Sequence, residues 1–232
     1  VRAALAPIYL KPPTPQGFVG IAFRNAEVFV VRTEDHSSAG KILETARGDI
    51  LVTHRGLSGP AVLGISNAAG RAFEETPISI EVNLLGNSES AVRDLLLAEQ
   101  QTRPQQQVAT WLEEVLPNRF VPFVLAQADV PNDRRWSALT REERSHLATA
   151  LLRYSFGAVA EIPLERGEVT SGGVALNEVD PKTMMSRLLP GLFFAGEMLD
   201  VAGEIGGYNL QAAYSTGWVA GEEAVKFLSI RQ

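Results

Sequence analysis

A glycine-bearing junction in the last quarter of the chain constrains the fold more than any other feature. The apolar run Leu192–Ala195 ends in Gly196-Glu197, and Gly206-Gly207 then opens a long helical pattern that starts near Asn209. This order of strand, turn and helix brings bare backbone and a helix N-terminus up to a ligand. Glycines lack a blocking Cβ, and a Gly-Gly pair tolerates the positive φ values that aim successive N–H groups at one point. The junction therefore predicts a site for a large, flat and partly anionic nucleotide cofactor.

Residues 18–85 show mainly the pattern of β-strands. Every second residue from Ile78 to Leu84 is apolar, a period of two that marks one buried and one solvated face. One helix interrupts this part. It is expected to run from about Pro60 to Phe73, with Ser58 as its N-cap.

Residues 88–153 change to helical spacing and predict a small cluster of helices. Within this part, Thr140 and Glu143 fit a capping box, in which each side chain satisfies a free backbone N–H group of the other residue. From residue 209 to residue 228, small and apolar residues recur at intervals of three and four. The final helix is therefore expected to lie close against a sheet.

The amino-acid composition excludes several kinds of site and partner. The chain contains no cysteine, which excludes disulfides, thiolate metal sites and a dithiol redox pair. His36, His54 and His146 lack ligand spacing, so no metal site is expected. The 21 Lys and Arg residues stand against 27 Asp and Glu, and no basic stripe is visible, so nucleic acid is not an expected partner. No apolar run reaches membrane-spanning length and no signal peptide is recognisable, which favours the cytoplasm.

Five short segments follow one another in the C-terminal part of the chain. They are Thr170–Val174, Glu178–Asp180, Pro190–Glu197, Leu199–Val201 and Gly206–Gln211. Together they resemble the C-terminal signature of the BaiN-like (YhiN-type) FAD-dependent flavoproteins. Thr53–Pro60 resembles a signature in the inserted domain of that family.

The resemblance implies a bacterial, cytoplasmic protein of the α/β class, in which an α+β domain is inserted into a Rossmann-like FAD-binding domain. The Gly-x-Gly-x-x-Gly fingerprint of such a domain is missing here. The chain is therefore expected to be a fragment without the N-terminal Rossmann half. Its expected parts are a connector (1–17), the inserted domain (18–166, β-rich over 18–85 and helical over 88–153) and the C-terminal segment of the FAD-binding domain (167–232).

Within this resemblance, the flavin contacts are expected on glycines, on carboxylates and on the start of the last helix. The Glu197 carboxylate would accept a hydrogen bond from a ribityl hydroxyl, with Asp200 nearby. Backbone N–H groups at the helix start would face the pyrimidine edge of the flavin ring. The expected cofactor-binding residues are Thr170, Gly172, Gly173, Gly196, Glu197, Asp200, Gly206, Gly207, Tyr208, Asn209 and Leu210.

Catalytic residues are not fixed by the sequence. Tyr208 is either a proton donor or a packed aromatic ring, and His54, inside the family-like motif Thr53–Pro60, is a candidate to line the substrate cavity. The function that the resemblance implies is hydride transfer between a small-molecule substrate, or NAD(P)H, and the flavin N5 atom of FAD. Two alternatives stay open: a non-catalytic interaction module that binds no flavin by itself, and a nucleotide-binding enzyme without redox chemistry, such as a transferase.

Overall fold

The computed structural model describes residues 1–33 and 40–229 and divides into two compact units. The larger unit comprises Pro7–Ile162, and the smaller unit combines Val1–Ala6 with the segment that begins at Pro163. From the sequence, these boundaries are expected at residues 18 and 166. Residues 7–17, assigned there to a connector, group with the larger unit in the structure. His36 lies outside the described residues.

The described residues form eight strands and six α-helices, a mixed α/β architecture. The strands are β1 (Arg2–Ala4), β2 (Ile8–Lys11), β3 (Ala22–Arg32), β4 (Ile42–Val52), β5 (Gly56–Ser58), β6 (Ile78–Asn83), β7 (Tyr154–Glu161) and β8 (Val169–Ser171). The helices are α1 (Pro60–Glu75), α2 (Glu89–Thr102), α3 (Val108–Val115), α4 (Val121–Gln127), α5 (Arg141–Leu152) and α6 (Tyr208–Ser229).

In the larger unit, six antiparallel strands close into a barrel in the order β2-β5-β4-β3-β6-β7. Strand β2 joins this ring because Ile8 and Leu10 alternate with more exposed residues and bury their side chains in the core. In β6, Ile78, Ile80 and Val82 are buried in the same core, which confirms the predicted alternation. Strand β7 follows the helices in sequence and closes the ring by pairing with both β2 and β6.

Helix α1 packs against β4 and begins at Pro60, as predicted. The residue before it is Gly59, with a φ of 97° and a ψ of 166°, a region that only glycine occupies readily. The predicted cap at Ser58 is wrong, because Ser58 belongs to β5 and pairs with Leu51 in the strand ladder. Glycine therefore makes the turn from strand to helix here, and no side chain caps it.

Helices α2 to α5 form the predicted helical cluster. The capping box at the start of α5 is confirmed: the Glu143 N–H donates to Thr140 Oγ1 over 3.1 Å, and the Thr140 N–H donates to Glu143 Oε2 over 2.8 Å. The other carboxylate oxygen of Glu143 accepts from Arg134 over 2.7 Å. The Thr140 N–H and the Arg134 guanidinium lower the pKa of Glu143. The buried rings of Trp111 and Trp136 pack edge to face in the same helical cluster.

An aromatic cluster joins the barrel to the helices. Phe120, which precedes α4, packs against Phe18 and Phe23 from the start of the β-rich part, with ring centroids 4.9 Å apart in both pairs. It also contacts Tyr154 and Phe156 of β7. Burial in this cluster raises the pKa of Tyr154 to about 12. The last strand of the barrel is thus anchored to the helical cluster by ring packing.

In the smaller unit, β1 and β8 form a two-stranded antiparallel sheet, and a small apolar core forms around Val179 and Leu199. The strand predicted over Leu192–Ala195 is wrong. The segment forms one isolated bridge, between Phe193 and Met185, whose hydrogen bonds run from the Ser186 N–H to the Leu192 carbonyl and from the Phe194 N–H to the Met184 carbonyl. A strand needs a continuous ladder, and no other described segment supplies one here.

Helix α6 confirms the predicted helix almost residue for residue, but the sheet expected against it is absent from the described residues. Ala220 alone is buried among its described residues. Tyr214, Trp218 and Val225 are all about two-thirds or more exposed and form an apolar stripe along one side. Across the described ranges, no helix combines the length and apolarity that a bilayer crossing needs.

The turn at Gly59 gives a test of the barrel's local geometry. Gly59→Ala is expected to lower the free energy of unfolding by about 1–3 kcal/mol, because of backbone strain and because the new Cβ would lie 2.8 Å from the Asp49 carbonyl oxygen. Gly64→Ala in the exposed middle of α1 is the control. Its Cβ would meet nothing within 4 Å, so it should leave stability unchanged or raise it slightly. Chemical denaturation measures both, and equal effects would contradict the assignment.

The capping box gives a test through pH. Glu143 has a lowered folded-state pKa, so its stabilising contribution is present above the unfolded-state pKa of about 4.3 and is lost as the pH falls through the folded-state pKa. Between about pH 5 and pH 3, the unfolding free energy of Glu143→Gln should therefore fall less steeply than that of the wild type. Glu113→Gln, at an exposed position of α3, should follow the wild type. Parallel slopes for wild type and Glu143→Gln would show that the capping carboxylate is not coupled to folding.

Candidate functional site

The smaller unit contains a cavity of about 370 Å³ at the N-terminal end of α6. Its walls come from β8, from the turn at Gly196, from the loop before α6 and from the first two turns of that helix. The lining residues are Leu5, Glu168, Val169, Gly196, Glu197, Leu199, Val201, Glu204, Ile205, Gly206, Gly207, Asn209, Leu210, Ala212, Ala213 and Thr216.

Three glycines at this cavity have positive φ values: 67° at Gly196, 130° at Gly206 and 86° at Gly207. This confirms the backbone conformation predicted for the Gly-Gly pair. A Cβ added to Gly207 would meet nothing within 4 Å, so the backbone is bare on that side. The Gly196 N–H donates to Thr216 Oγ1 over 2.9 Å, which fixes the turn against α6.

The two carboxylates singled out in the sequence bind the backbone next to the cavity. Glu197 Oε1 accepts hydrogen bonds from the N–H and from the hydroxyl of Thr170 in β8. Asp200 Oδ1 accepts from the Gly172 N–H over 2.9 Å. Glu197 lines the cavity, whereas Thr170 and Asp200 do not. Both carboxylates thus hold β8 and the residue after it in place.

Gly172 and Gly173 also lie outside the cavity lining. A Cβ on Gly173 would lie 2.4 Å from the Met198 carbonyl oxygen, because Val174 bridges to Leu199 there. Gly172 has a φ of 90°. In the described structure, Gly173 is required by the close packing of two backbone segments, and Gly172 is required by its left-handed backbone conformation.

At the start of α6, three neighbouring residues differ in whether they line the cavity. Asn209 and Leu210 line the cavity, and the Asn209 side chain bonds to both backbone groups of Gly203, accepting from its N–H over 2.7 Å. Tyr208 is 63% exposed and does not line the cavity. The first N–H groups of a helix have no partner within it, so these residues present free donors at this end.

All the charged side chains that line the cavity are acidic. Glu168, Glu197 and Glu204 line the cavity, and its described lining contains neither Lys nor Arg nor His. The remaining wall is largely aliphatic. Such a site suits a ligand part that carries hydroxyl donors and an apolar ring, and it disfavours an anionic part.

The sequence analysis missed several lining residues. Leu5 belongs to a segment assigned to a connector, and Glu168 precedes β8; the pairing of β1 with β8 brings both to the cavity. Thr216 lies two turns into α6, where its hydroxyl also donates to the Ala212 carbonyl. No local pattern marks these residues, because the contact that recruits them is between segments distant in sequence.

His54 lies in the larger unit, in the tight turn between β4 and β5. There Thr53 closes the turn by donating to the Gly56 carbonyl, and the Arg55 guanidinium stacks on the Tyr9 ring 4.0 Å from its centroid. His54 is exposed and is not among the residues that line the cavity of the smaller unit. In the described ranges, no group of three or more acidic or histidine side chains is placed to hold a metal ion.

Comparison with known proteins places this architecture in a family. Residues 2–169 match the family described as "HI0933-like protein barrel and H2TH domain". The match includes the whole barrel and the helical cluster that follows β6. It ends at the first residue of β8, so most of the smaller unit lies beyond it.

Three relatives are similar to the chain over most of its length. The ribosomal RNA dihydrouridine synthase of Escherichia coli (strain K12) is 33% identical over 179 residues, 77% of this chain and 43% of that protein. The protein of the same name from Haemophilus influenzae is 35% identical over 169 residues, 73% and 40%. The 3-dehydro-bile acid delta(4,6)-reductase of Clostridium scindens is 29% identical over 188 residues, 80% and 46%.

The chain spans less than half the length of each of these relatives. Its barrel and helical cluster nevertheless fall within the residues that the family match covers. On the strength of that match, which takes in well over half of the sequence, the chain belongs to the HI0933-like protein barrel and H2TH domain family.

Proposed function

We propose that this chain is part of a flavin-dependent reductase that adds two hydrogens across a carbon–carbon double bond conjugated to a carbonyl group. The relatives' names support this chemistry. One names the formation of dihydrouridine and the other the reduction of delta(4,6) bonds in a 3-dehydro bile acid. Dihydrouridine is uridine with a conjugated ring double bond saturated, and a 3-oxo group is likewise conjugated to delta(4,6) double bonds.

The single observation that carries the proposal is the cavity at the start of α6. Its volume of about 370 Å³ falls in the range of small-molecule sites. The residues present fit one part of FAD. Glu197 and its two neighbouring carboxylates, Glu168 and Glu204, suit the ribityl hydroxyls, and the aliphatic wall suits the flavin ring. The pyrophosphate finds no cation in this lining, so it belongs outside the cavity.

The residues of the chain would act by holding the cofactor in one orientation. Glu197 Oε2 is not used in the bonds to Thr170 and remains to accept from a ribityl hydroxyl. The free N–H groups at the start of α6 would hydrogen-bond the carbonyl edge of the ring, and the helix dipole favours negative charge there. When bound, FAD would supply the hydride chemistry, passing a hydride from NAD(P)H to the carbon β to the carbonyl, while a proton would be added to the α-carbon. Neither Tyr208 nor His54 lines the cavity, so the proposal assigns that proton to neither residue.

The proposal includes a Rossmann-like setting for the smaller unit, of the BaiN-like type and in the cytoplasm. Two features support that setting. The apolar stripe of α6 is exposed, and Leu192–Ala195 makes a single isolated bridge, at Phe193, rather than a ladder among the described residues. A parallel sheet covering both features would bury the stripe and complete the strand.

Filling the cavity tests the proposal. Ala212 lines the cavity, so Ala212→Trp should occupy the space of the flavin ring and weaken FAD binding at least about tenfold. The measurement is a titration of FAD with the purified chain, followed by flavin fluorescence. Ser215→Trp places the same side chain at an exposed position of α6 outside the lining and should bind FAD like the wild type.

Two results would contradict the proposal. One is equal FAD affinity for Ala212→Trp and wild type. The other is a folded wild-type chain that takes up no flavin at all, which would instead favour the non-catalytic interaction module.

A further inference from the structure

A groove of about 270 Å³ lies between α2 and α5 in the larger unit. Three arginines line it: Arg93 from α2, and Arg141 and Arg144 from the first turns of α5. The side chains of Leu97 and Ala148 provide apolar surface beside them. The groove shares no lining residue with the cavity of the smaller unit and lies on a different compact unit.

Two of these arginines are not neutralised by a carboxylate. Within the described residues, the Arg141 guanidinium has no hydrogen-bond or ion-pair partner, and Arg144 donates only to the neutral amide oxygen of Gln100. Glu143, between them in sequence, is occupied by Thr140 and Arg134.

The third arginine, Arg93, and two further polar residues also line the groove. Arg93 is paired with Glu89 over 2.8 Å, on the exposed side of α2. Asp94 is the one carboxylate among the lining residues, so the two guanidiniums without a carboxylate partner, those of Arg141 and Arg144, stand against a single acidic side chain. The hydroxyl of Ser145 also lines the groove and donates no hydrogen bond within the described part of the chain.

We propose that this groove binds a phosphate group. Guanidiniums are planar forks of donors that match phosphate oxygens in pairs, and a hydroxyl adds a further donor. Apolar side chains next to the charges strengthen each bond by excluding water. The sequence analysis found no basic stripe because the arginines are far apart in the chain. The packing of α2 against α5 brings them together in a protein whose net charge is -6.

A second groove shares Arg93 with the first but does not extend its unpaired positive charge. Its lining includes the carboxylates Glu27 and Glu89, and its other guanidinium, that of Arg153, is ion-paired with Glu81. The unpaired guanidiniums are thus confined to the first groove. The phosphate that they suit occurs both in a single-stranded RNA and in a free nucleotide, and the experiment separates these two sources.

The test measures binding of three probes to the purified chain: a fluorescently labelled single-stranded RNA, uridine monophosphate and inorganic phosphate. Arg141→Gln removes a guanidinium that makes no hydrogen bond or ion pair within the described residues, so it should leave the fold intact. Together with Arg144→Gln, it should weaken binding at least about tenfold and flatten the salt dependence of RNA binding between about 50 and 200 mM KCl. Asp94→Asn should tighten binding, because it removes the like charge. Arg71→Gln, on the exposed side of α1, is the matched control and should change nothing.

The three possible sets of results lead to different conclusions about the ligand. RNA binding that uridine monophosphate and inorganic phosphate do not displace supports a phosphodiester ligand. Binding of the small phosphates alone, with the same response to the variants, supports a free nucleotide or phosphate. The proposal is overturned if no probe binds, if the double variant binds like Arg71→Gln, or if Asp94→Asn weakens binding.

Discussion

The pairing of β7 with both β2 and β6 is the interaction on which the larger unit depends. Those two strands lie at the open edges of the sheet, and β7 satisfies both rows of backbone groups at once. Because β7 follows the helical cluster in sequence, closing the ring fixes that cluster against the barrel through Tyr154 and Phe156. The groove between α2 and α5 belongs to this cluster, and its arginines lie on two helices that pack against each other.

The smaller unit is held by a different kind of interaction. Side chains of Glu197, Asp200, Thr216 and Asn209 bond to backbone groups of the segments around the cavity. Such bonds fix loop geometry where no extended ladder is present. These bonds hold the walls of the cavity in place, and the carboxylates in its lining are suited to accept from hydroxyl groups of a ligand.

Local signals in the sequence predicted local structure. The alternation in β6, the capping box at Thr140 and the glycine conformations before α6 depend on neighbours in the chain, and the structure has all three. Predictions that depended on distant contacts did less well. Ser58 was expected to cap α1, but it belongs to β5 and pairs with Leu51 of β4. Leu5 lies at the cavity because β1 pairs with β8. Leu192–Ala195 carries a strand-like sequence, but strand formation also needs a partner, and sequence pattern cannot supply one.

The most direct test of the central claim is a calorimetric titration of the chain with riboflavin, FAD and ADP. If the carboxylate-lined cavity holds the ribityl and ring part of the flavin, riboflavin and FAD will compete for one site and ADP will not displace either. Binding of ADP at the same site as FAD, or failure of riboflavin to bind, would contradict the account, because the recognised part would then be the anionic nucleotide half.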